Sequence, residues 1–396
     1  MLLSILVYGL TAAVLCYLGW HVSHREHQAR LLHGEEYQLP FYSWEILLSI
    51  LVIAVVAGAR WHTGFDHEMY LNEYTRMLED GALSRARFEF GFKVVTKAFA
   101  SIKAHYFFYF TFWALLQAGF LYFALRKRKF LLPLIGLNIM LGIYFLNWCN
   151  SMRQAVIDCL FVSLVPLIAN KSWRNFAIYS IIILLSMLLH RSAIILLPLY
   201  LLSFYNGSFG IKSWHKWSCL SIFAICVALG IYPIWFKSLV IINPILKFLG
   251  YGIYTQQSLL GDLFNGEFRS VHFGPLRLSL LIADLAIIWY YPKVRQYFRS
   301  DSLLPFYFVL SFIGMCSENL LMNTSHYILR PTEYFTIFVM IMSSYTLVYL
   351  WRSGKRLISV LLGVIINVYI IIAVISAVVT PSITKEPFLY HFFFLQ

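Results

Sequence analysis

Apolar stretches of about 15–22 residues, separated by short polar segments, follow one another along almost the whole chain. A stretch of this length, wound as an α-helix, crosses the roughly 30 Å of hydrocarbon in a bilayer. The pattern therefore predicts an all-α, polytopic membrane protein with a single transmembrane domain over residues 1–396. About twelve spans are predicted, at residues 1–20, 42–59, 106–125, 130–148, 152–169, 176–190, 192–205, 218–236, 277–291, 302–320, 333–351 and 357–379.

Composition supports this interpretation, since 60% of the 396 residues are hydrophobic, 12% are charged and the mean hydropathy is +0.72. Soluble domains average about 45–50% apolar and about 25% charged residues. No Lys or Arg precedes the first apolar stretch, so a retained span is expected there rather than a cleaved signal peptide. The six cysteines show no C-x-x-C spacing and indicate neither a disulfide framework nor a zinc site.

The net charge of +13 is concentrated in every second connection between spans, which favours a topological role over nucleic-acid binding. Six such connections hold 16 of the 31 Lys and Arg residues but 4 of the 18 acidic residues. The positive-inside rule places these loops in the cytoplasm and both termini outside. Residues 60–105 and 237–276 are then two long external loops, expected to contain short amphipathic helices such as one around residues 94–102.

Two ionisable residues, His190 and Arg191, interrupt the apolar stretch 176–204. The stretch lies between two basic loops, so it must cross the membrane an even number of times. Two spans joined by a bend at His190–Arg191 satisfy this condition and place the bend outside. As α-helices the two halves would be only about 21–22 Å long, so the bend is expected to be recessed. An interfacial turn without a catalytic role is the alternative.

Other polar residues of the predicted external face stand at the first turns of spans. Ionisable groups in spans usually face a protein interior or a wet cavity. Arg153 and Arg330, each beside further polar residues, are favoured as functional. Arg277, which shares a helix face with Asp284, has an alternative role as a snorkelling anchor. The polar set on this face is Arg60, Asp66, Tyr70, Glu89, Arg153, Gln154, His190, Arg191, Arg269, His272, Arg277, His326, Arg330 and Glu333.

The segment "HVSHREH" repeats histidine at helical spacing, at positions 21, 24 and 27. Metal binding is one interpretation of such a repeat. The segment lies on the predicted cytoplasmic side and has no accompanying carboxylate pattern, so the sequence does not favour a metal site there.

Six short motifs follow one another in a distinctive order. They are Arg60, Gly-x-Asp-x-x-x-Tyr at 64–70, Glu-x-Gly-Phe at 89–92, Arg-Gln at 153–154, His-x-Ser-Ala at 190–193 and Arg-x-x-x-Tyr at 330–334. This order resembles the EpsG-like branch of the Wzy-type polysaccharide polymerases, over roughly residues 40–350. Arg191 stands where the family has a small or apolar residue, which leaves open whether His190, Arg191 or both act.

The resemblance implies a glycosyltransferase at the external, periplasmic face of the bacterial inner membrane. The donor would be a growing glycan on undecaprenyl diphosphate, and the acceptor the non-reducing end of a lipid-linked oligosaccharide repeat unit. Membrane lipids and a chain-length regulator protein are further implied partners. The sequence does not distinguish O-antigen of lipopolysaccharide, capsule or exopolysaccharide as the product, or inversion from retention.

The polar residues suit this chemistry. Arginine binds a diphosphate through its planar fork, and a leaving diphosphate needs such donors. A general base for the acceptor hydroxyl is also useful, and His190, Asp66 and Glu89 are the candidates. No carboxylate cluster calls for Mg²⁺, so transfer without metal or cofactor is expected. The predicted substrate-binding residues are Arg60, Tyr70, Arg153, Gln154, Arg191, Arg277, Arg330, Glu333 and Tyr334.

Two other functions fit part of the pattern. A lipid-linked oligosaccharide flippase or other transporter would have a similar number of spans, but its polar residues should lie near mid-membrane in paired halves. An O-antigen-ligase-like membrane glycosyltransferase would share the external Arg and His residues.

Overall fold

The computed structural model describes residues 1–34, 36–83, 88–205, 207, 212–231, 274–323, 329–382 and 385–395. Most of the predicted 237–276 loop lies outside the described residues, together with Arg269, His272 and His326. The described chain is almost entirely helical, and its single β-ladder joins strands β1 (Arg60–Trp61) and β2 (His391–Phe392).

The α-helices, in chain order, are α1 (Leu2–His33), α2 (Trp44–Gly58), α3 (His67–Glu79), α4 (Phe90–Ser101), α5 (Tyr106–Ala124), α6 (Leu132–Leu141), α7 (Tyr144–Asn150), α8 (Met152–Ala169), α9 (Trp173–Ser186), α10 (Ser213–Ile231), α11 (Pro275–Tyr297), α12 (Leu304–Leu320), α13 (Glu333–Arg352), α14 (Arg356–Asn367) and α15 (Tyr369–Val379). Segments of 3₁₀-helix lie at Lys129–Leu131, Arg191–Phe204, Arg330–Thr332, Glu386–Phe388 and Phe393–Leu395.

Each of the twelve predicted spans overlaps a helix or a pair of consecutive helices. Within the described ranges, five helices are long and apolar enough to cross a membrane, and two bent pairs would raise the number to seven. The bends are 60° between α6 and α7 and 43° between α14 and α15. Four other apolar helices, including α2 and α9, are shorter, so the structure supports five to seven spans and twelve stays a prediction.

The chain divides into two compact units, residues 1–165 with 343–396, and residues 166–342. Both are described separately below, and the single domain over 1–396 stays a prediction. In the first unit, α1 packs closely on α6. A Cβ at Gly19 would lie 2.5 Å from the backbone N of Pro133, and one at Gly136 would lie 2.6 Å from Leu15 Cβ. Glycines at these positions let the two backbones approach, as is common between membrane helices.

The helices of the first unit run between two polar ends. At the basic end, formed by residues 21–45, 126–131 and 345–359, Lys129 Nζ donates to Glu26 Oε2 at 2.5 Å and Arg25 Nη1 to Glu45 Oε1 at 2.6 Å. At the other end, called the loop end and formed by residues 59–67, 88–92, 149–153 and 387–393, β1 pairs with β2. Three predicted basic loops therefore meet at one end of the unit, as the sequence predicts.

The second unit contains an antiparallel hairpin at the predicted bend. The Tyr179 hydroxyl donates to the Leu196 carbonyl at 2.5 Å, and the Tyr200 hydroxyl donates to the Ser172 carbonyl at 2.8 Å, so α9 packs against the 3₁₀-helix 191–204. The hairpin turns over residues 187–190, where His190 is extended with φ −156° and ψ 117°. The expected bend is therefore present.

The second leg of this hairpin is longer than an α-helix of the same residue count. A 3₁₀-helix rises about 2.0 Å per residue, so its 14 residues extend about 28 Å rather than 21 Å. The length argument for a recessed bend was therefore wrong for this leg, which nearly matches the hydrocarbon thickness.

Helix α4 confirms the predicted amphipathic helix in the 60–105 loop, with one refinement. Its buried side chains are Phe92, Thr96 and Ala100. On the opposite side Val94 is 48% exposed and the following Ile102 is 74% exposed. The helix therefore packs on the protein through one face and leaves part of its apolar face uncovered, which suits contact with lipid.

Candidate active site

At the loop end, residues near position 60 pair with residues near the C-terminus of the first unit. Arg60 pairs with Phe392 and Trp61 with His391 in the antiparallel ladder. Beyond the ladder, Gly64 N donates to the Pro387 carbonyl at 2.9 Å. The start of the 60–105 loop is thus held against the C-terminal segment, which fixes the backbone that carries the first family motif.

Backbone conformation and steric contact explain why the Gly-x-Asp motif has glycine at position 64. Gly64 has φ +91°, and a Cβ there would lie 2.8 Å from Asn150 Oδ1. The next residue, Phe65, donates its backbone N–H to that same oxygen at 2.6 Å. This turn docks the loop on the end of α7 and leaves the half-buried Asp66 as the N-cap residue of α3.

Arg60 is the most deeply buried of the predicted arginines that the structure describes, with 2% exposure. One nitrogen donates to the Ala57 carbonyl, and the guanidinium lies 4.6 Å from the centre of the Phe110 ring. Its Nε and Nη2 have no hydrogen-bond partner within the described ranges. A cavity of about 10 Å³, which is about the space for one water, lies against it and is also lined by Gln117 and Trp148.

His67 belongs to the same cluster, and sequence reasoning missed it. Its ring is fully buried and stacks on Phe110 at 5.1 Å. Burial, reinforced by the charges of Arg60 and His62, lowers the pKa of His67 to about 3. His67 is therefore neutral at physiological pH. The available signal was its place directly after Asp66, inside the motif.

Arg153 and Glu89 form an ion pair that the sequence did not predict. Glu89 is the N-cap residue of α4, and Arg153 stands in the first turn of α8. Two aromatic rings hold the guanidinium, Phe88 at 4.8 Å and Phe92 at 5.0 Å, and Tyr70 is a further hydrogen-bond partner. A candidate base and a candidate diphosphate ligand thus neutralise each other in this structure.

In the second unit, His190 is buried with 9% exposure, whereas its neighbour Arg191 is exposed. Two residues further, Ser192 Oγ and the Tyr334 hydroxyl form a buried hydrogen bond of 2.7 Å. This bond fixes the hairpin turn against the first turn of α13. Half-buried Arg330 and Glu333 lie within one helical turn of Tyr334.

Arg277 lies in a separate polar chain of the second unit. It donates to Glu318 Oε1 at 3.2 Å and to Asn319 Oδ1 at 2.5 Å. Asn319 in turn donates to Asp284 Oδ2 at 3.3 Å. The predicted shared face of Arg277 and Asp284 is therefore present, bridged by an amide from α12 that the sequence did not point to.

The structure brings the predicted residues together in two groups, one in each unit. The loop-end group of the first unit contains Arg60, Asp66, Tyr70, Glu89, Arg153 and the buried Gln154. The group of the second unit contains His190, Arg191, Arg330, Glu333 and Tyr334, with Arg277 in its own polar chain.

The described chain consists largely of apolar helices, several of them long enough to cross a membrane, which is the architecture of a polytopic helical membrane protein. The model of the EpsG family matches residues 43–391, and the chain belongs to the EpsG family. The resemblance drawn from the ordered motifs is thus confirmed. Family and helices together indicate a membrane protein connected with polysaccharide synthesis. No curated protein and no solved structure matches the chain.

Proposed function

We propose that this protein is a polysaccharide polymerase. It would transfer a growing glycan from undecaprenyl diphosphate to the non-reducing end of a lipid-linked repeat unit at the external face of the bacterial inner membrane. The observation that carries the proposal is Arg60, a buried guanidinium beside the family's Gly-x-Asp motif with nitrogens unpaired within the described ranges. Such a group is suited to hold an anionic leaving group at a helix end, and the cavity beside it, with space for about one water, would have to widen to admit the diphosphate.

The reaction needs charge stabilisation more than acid catalysis. The acceptor hydroxyl oxygen forms a bond to the donor anomeric carbon, the bond from that carbon to the diphosphate oxygen breaks, and the hydroxyl proton passes to a base. The diphosphate leaves with its negative charge. Each charge-assisted hydrogen bond from arginine contributes about 1.5–3 kcal/mol, and more where it is aimed at charge that develops during bond cleavage.

Arg60 and Arg153 are proposed as the diphosphate ligands in the first unit. Arg153 is already neutralised, so binding of a diphosphate there would displace the Glu89 carboxylate. Glu89 would then be available as a base. Asp66 of the same unit is an alternative candidate, and His190 of the second unit is a separate one. The aromatic rings around Arg153 keep its guanidinium in place through this exchange.

The polymerase proposal is tested by the carbohydrate products of a deletion strain. Loss of a polymerase leaves single repeat units on the final acceptor, whereas loss of a ligase leaves polymer on the lipid carrier. Loss of a flippase leaves lipid-linked repeat units on the cytoplasmic side. Single repeat units that become polymer again on complementation support the proposal, and either other pattern excludes it.

The proposed diphosphate ligand is tested by Arg153→Lys, which keeps the charge but loses the planar fork. Polymer length, read on a gel at equal membrane abundance, should fall severely. Arg126→Lys is the matched control, since Arg126 is half-buried at the basic end of the same unit, away from the loop end. Normal chain length from Arg153→Lys would exclude a fork-dependent role.

The proposed topology has twelve crossings, six cytoplasmic basic loops and both termini outside. It is supported by the meeting of three predicted basic loops at one end of the first unit. Single cysteines at Glu79 and Ser300, both exposed, test it with an impermeant thiol reagent in a cysteine-free background. Labelling from outside is expected at position 79 only, and the reverse result would invert the topology.

A further inference from the structure

The histidine repeat of α1 is divided between two faces of the helix. His21 Nδ1 lies 2.8 Å from Glu45 Oε1 and belongs to the ion-pair face. His24 and His27 instead line a cavity of about 410 Å³ at the basic end of the first unit. Within the described ranges no three His, Cys, Asp or Glu side chains are grouped as a metal site.

The cavity changes from polar to apolar along its length. His27 and Arg352 line it near the last turns of α1 and α13. Leu134 and Leu347 line it further along their helices, toward the interior of the unit. A polar mouth above an apolar wall matches a ligand with a polar head and a hydrocarbon tail.

Two exposed tryptophans mark the level at which the cavity opens. Trp20 and Trp351 both line it and are 53% and 51% exposed. Tryptophan is enriched where protein meets the membrane–water interface. The 19 residues from Leu2 to Trp20 extend about 28 Å as an α-helix, so Trp20 lies about one hydrocarbon thickness from the start of α1.

The described lining of the cavity is basic, and two acids of this end, Glu26 and Glu45, are paired elsewhere. Glu26 accepts from Lys129 and Arg30, and Glu45 from Arg25, and none of these residues lines the cavity. The described lining contains no carboxylate, whereas it contains Arg352, His24 and His27. The guanidinium of Arg352 lies 5.4 Å from the centre of the Phe130 ring, and His24 stacks on Trp20 at 5.4 Å. Ring contacts thus hold two of the polar groups in place.

We propose that this cavity binds an anionic phospholipid. Its phosphate would contact Arg352, His24 and His27, and the first part of its acyl chains would lie along Leu134 and Leu347. Basic pockets between membrane helices commonly bind phosphate head groups in this way. The site is at the end of the unit opposite Arg60 and Arg153, so the proposal does not depend on the polymerase function.

Native mass spectrometry of the purified full-length protein tests the proposal. The protein is titrated with phosphatidylglycerol or with phosphatidylcholine of the same acyl chains, and the first bound lipid is quantified. Phosphatidylglycerol should bind at least about tenfold more tightly, since both lipids offer a phosphate to Arg352 but the choline cation of phosphatidylcholine offsets the phosphate charge. Equal retention of the two lipids would overturn the proposal.

Two variants and one control test whether the lipid binds in this cavity or is only attracted to the basic surface around it. Arg352→Ala should abolish the preference for phosphatidylglycerol, and so should Ser359→Trp, which fills the cavity without changing charge. Arg126→Ala removes a charge from the same end outside the cavity. It should weaken binding by about fivefold at most, the effect of one basic residue near an anionic surface. Equal losses in Arg352→Ala and Arg126→Ala would overturn the site.

A competition arm distinguishes a lipid from a free phosphate compound. Inorganic phosphate in excess should not displace phosphatidylglycerol, because the apolar wall contributes to lipid binding. Displacement would show that the cavity binds phosphate alone and would overturn the lipid assignment. Thermal unfolding in detergent checks each variant. If Arg352→Ala unfolds early, the comparison rests on Ser359→Trp and on the two lipids with the unaltered protein.

Discussion

At the basic end of the first unit, Glu26 accepts from Lys129 at 2.5 Å and from Arg30 at 2.7 Å. At the loop end, the described partners of the Arg60 guanidinium are the Ala57 carbonyl and the face of Phe110. Both ends bury cations, but a carboxylate compensates Lys129 at the basic end, whereas no carboxylate is among the described partners of Arg60. The contrast separates charge that stabilises the structure from charge that remains available to a ligand.

The difference has a physical cause in desolvation. A buried cation loses its hydration and is costly unless a partner compensates it. Lys129 obtains this compensation from Glu26 and two carbonyl groups. Arg60 retains unpaired nitrogens in the described part of the chain. Binding of an anionic substrate would therefore offset the desolvation free energy of its guanidinium. Substitution by methionine, which replaces the aliphatic part of both side chains without the charge, distinguishes the two ends.

The largest effect on stability is expected from Lys129→Met. The substitution leaves Glu26 buried with one cation fewer and removes three hydrogen bonds. Breaking a buried ion pair on one side costs about 3–5 kcal/mol of unfolding free energy. Unfolding in mixed detergent measures it. The double variant Glu26→Gln/Lys129→Met should lose less than the sum of the single variants, and simple additivity would mean that the two groups are not coupled.

An intermediate effect on the free energy of unfolding is expected from His67 as the pH falls. Its pKa is about 3 in the folded protein and about 6.5 in the unfolded chain. Between these values the unfolded state binds more protons, so stability decreases as the pH is lowered. From pH 7 to pH 5 this contribution amounts to about 2 kcal/mol.

The comparison for His67 is with the variant His67→Gln, which cannot titrate. Its unfolding free energy should depend less on pH by that amount, while His33→Gln, at an exposed histidine of the basic end, serves as the control. Parallel pH profiles for the unaltered protein and His67→Gln would show that the ring is not held neutral by burial.

The smallest effect on stability, with a large effect on activity, is expected from Arg60→Met. Removing an uncompensated buried charge removes a desolvation cost, so the unfolding free energy should change by less than about 1.5 kcal/mol. Polymer formation should fall about a hundredfold or more, because a donor aimed at developing charge is lost. Polymer length and unfolding are measured on the same preparations. If Arg60→Met loses stability but retains polymer formation, the contrast between the two ends is reversed.

The positions of the helices could be predicted from the sequence because apolar length is a local property. Their interruptions were harder to predict. The predicted span 130–148 is broken at Gly142, where a Cβ would meet the Asn138 carbonyl at 2.5 Å. The span 357–379 bends after Asn367, whose side chain donates to the Gly363 carbonyl at 2.9 Å. Both interruptions depend on local geometry that hydropathy does not record.

The candidate site was predictable in its members but not in its pairing. Glu89 and Arg153 were each selected by motif, yet they are 64 positions apart, and their ion pair follows from how α4 meets α8. At His190, the even number of crossings required by the basic loops predicted the turn. The predicted length of the second leg was wrong, because an apolar pattern does not indicate a 3₁₀-helix of 14 residues.

The ladder between β1 and β2 has a consequence for any reporter fused to this protein. His391 N and Thr63 Oγ1, 328 positions apart, are hydrogen bonded, so the intervening chain begins and ends on one side of the bilayer. A closed path of this kind contains an even number of crossings, whatever their total. A tag at the C-terminus therefore reports the side on which Arg60 and Gly64 lie. A bulky fusion there is also placed beside the Gly-x-Asp turn, so its effect on activity should be checked before it is used.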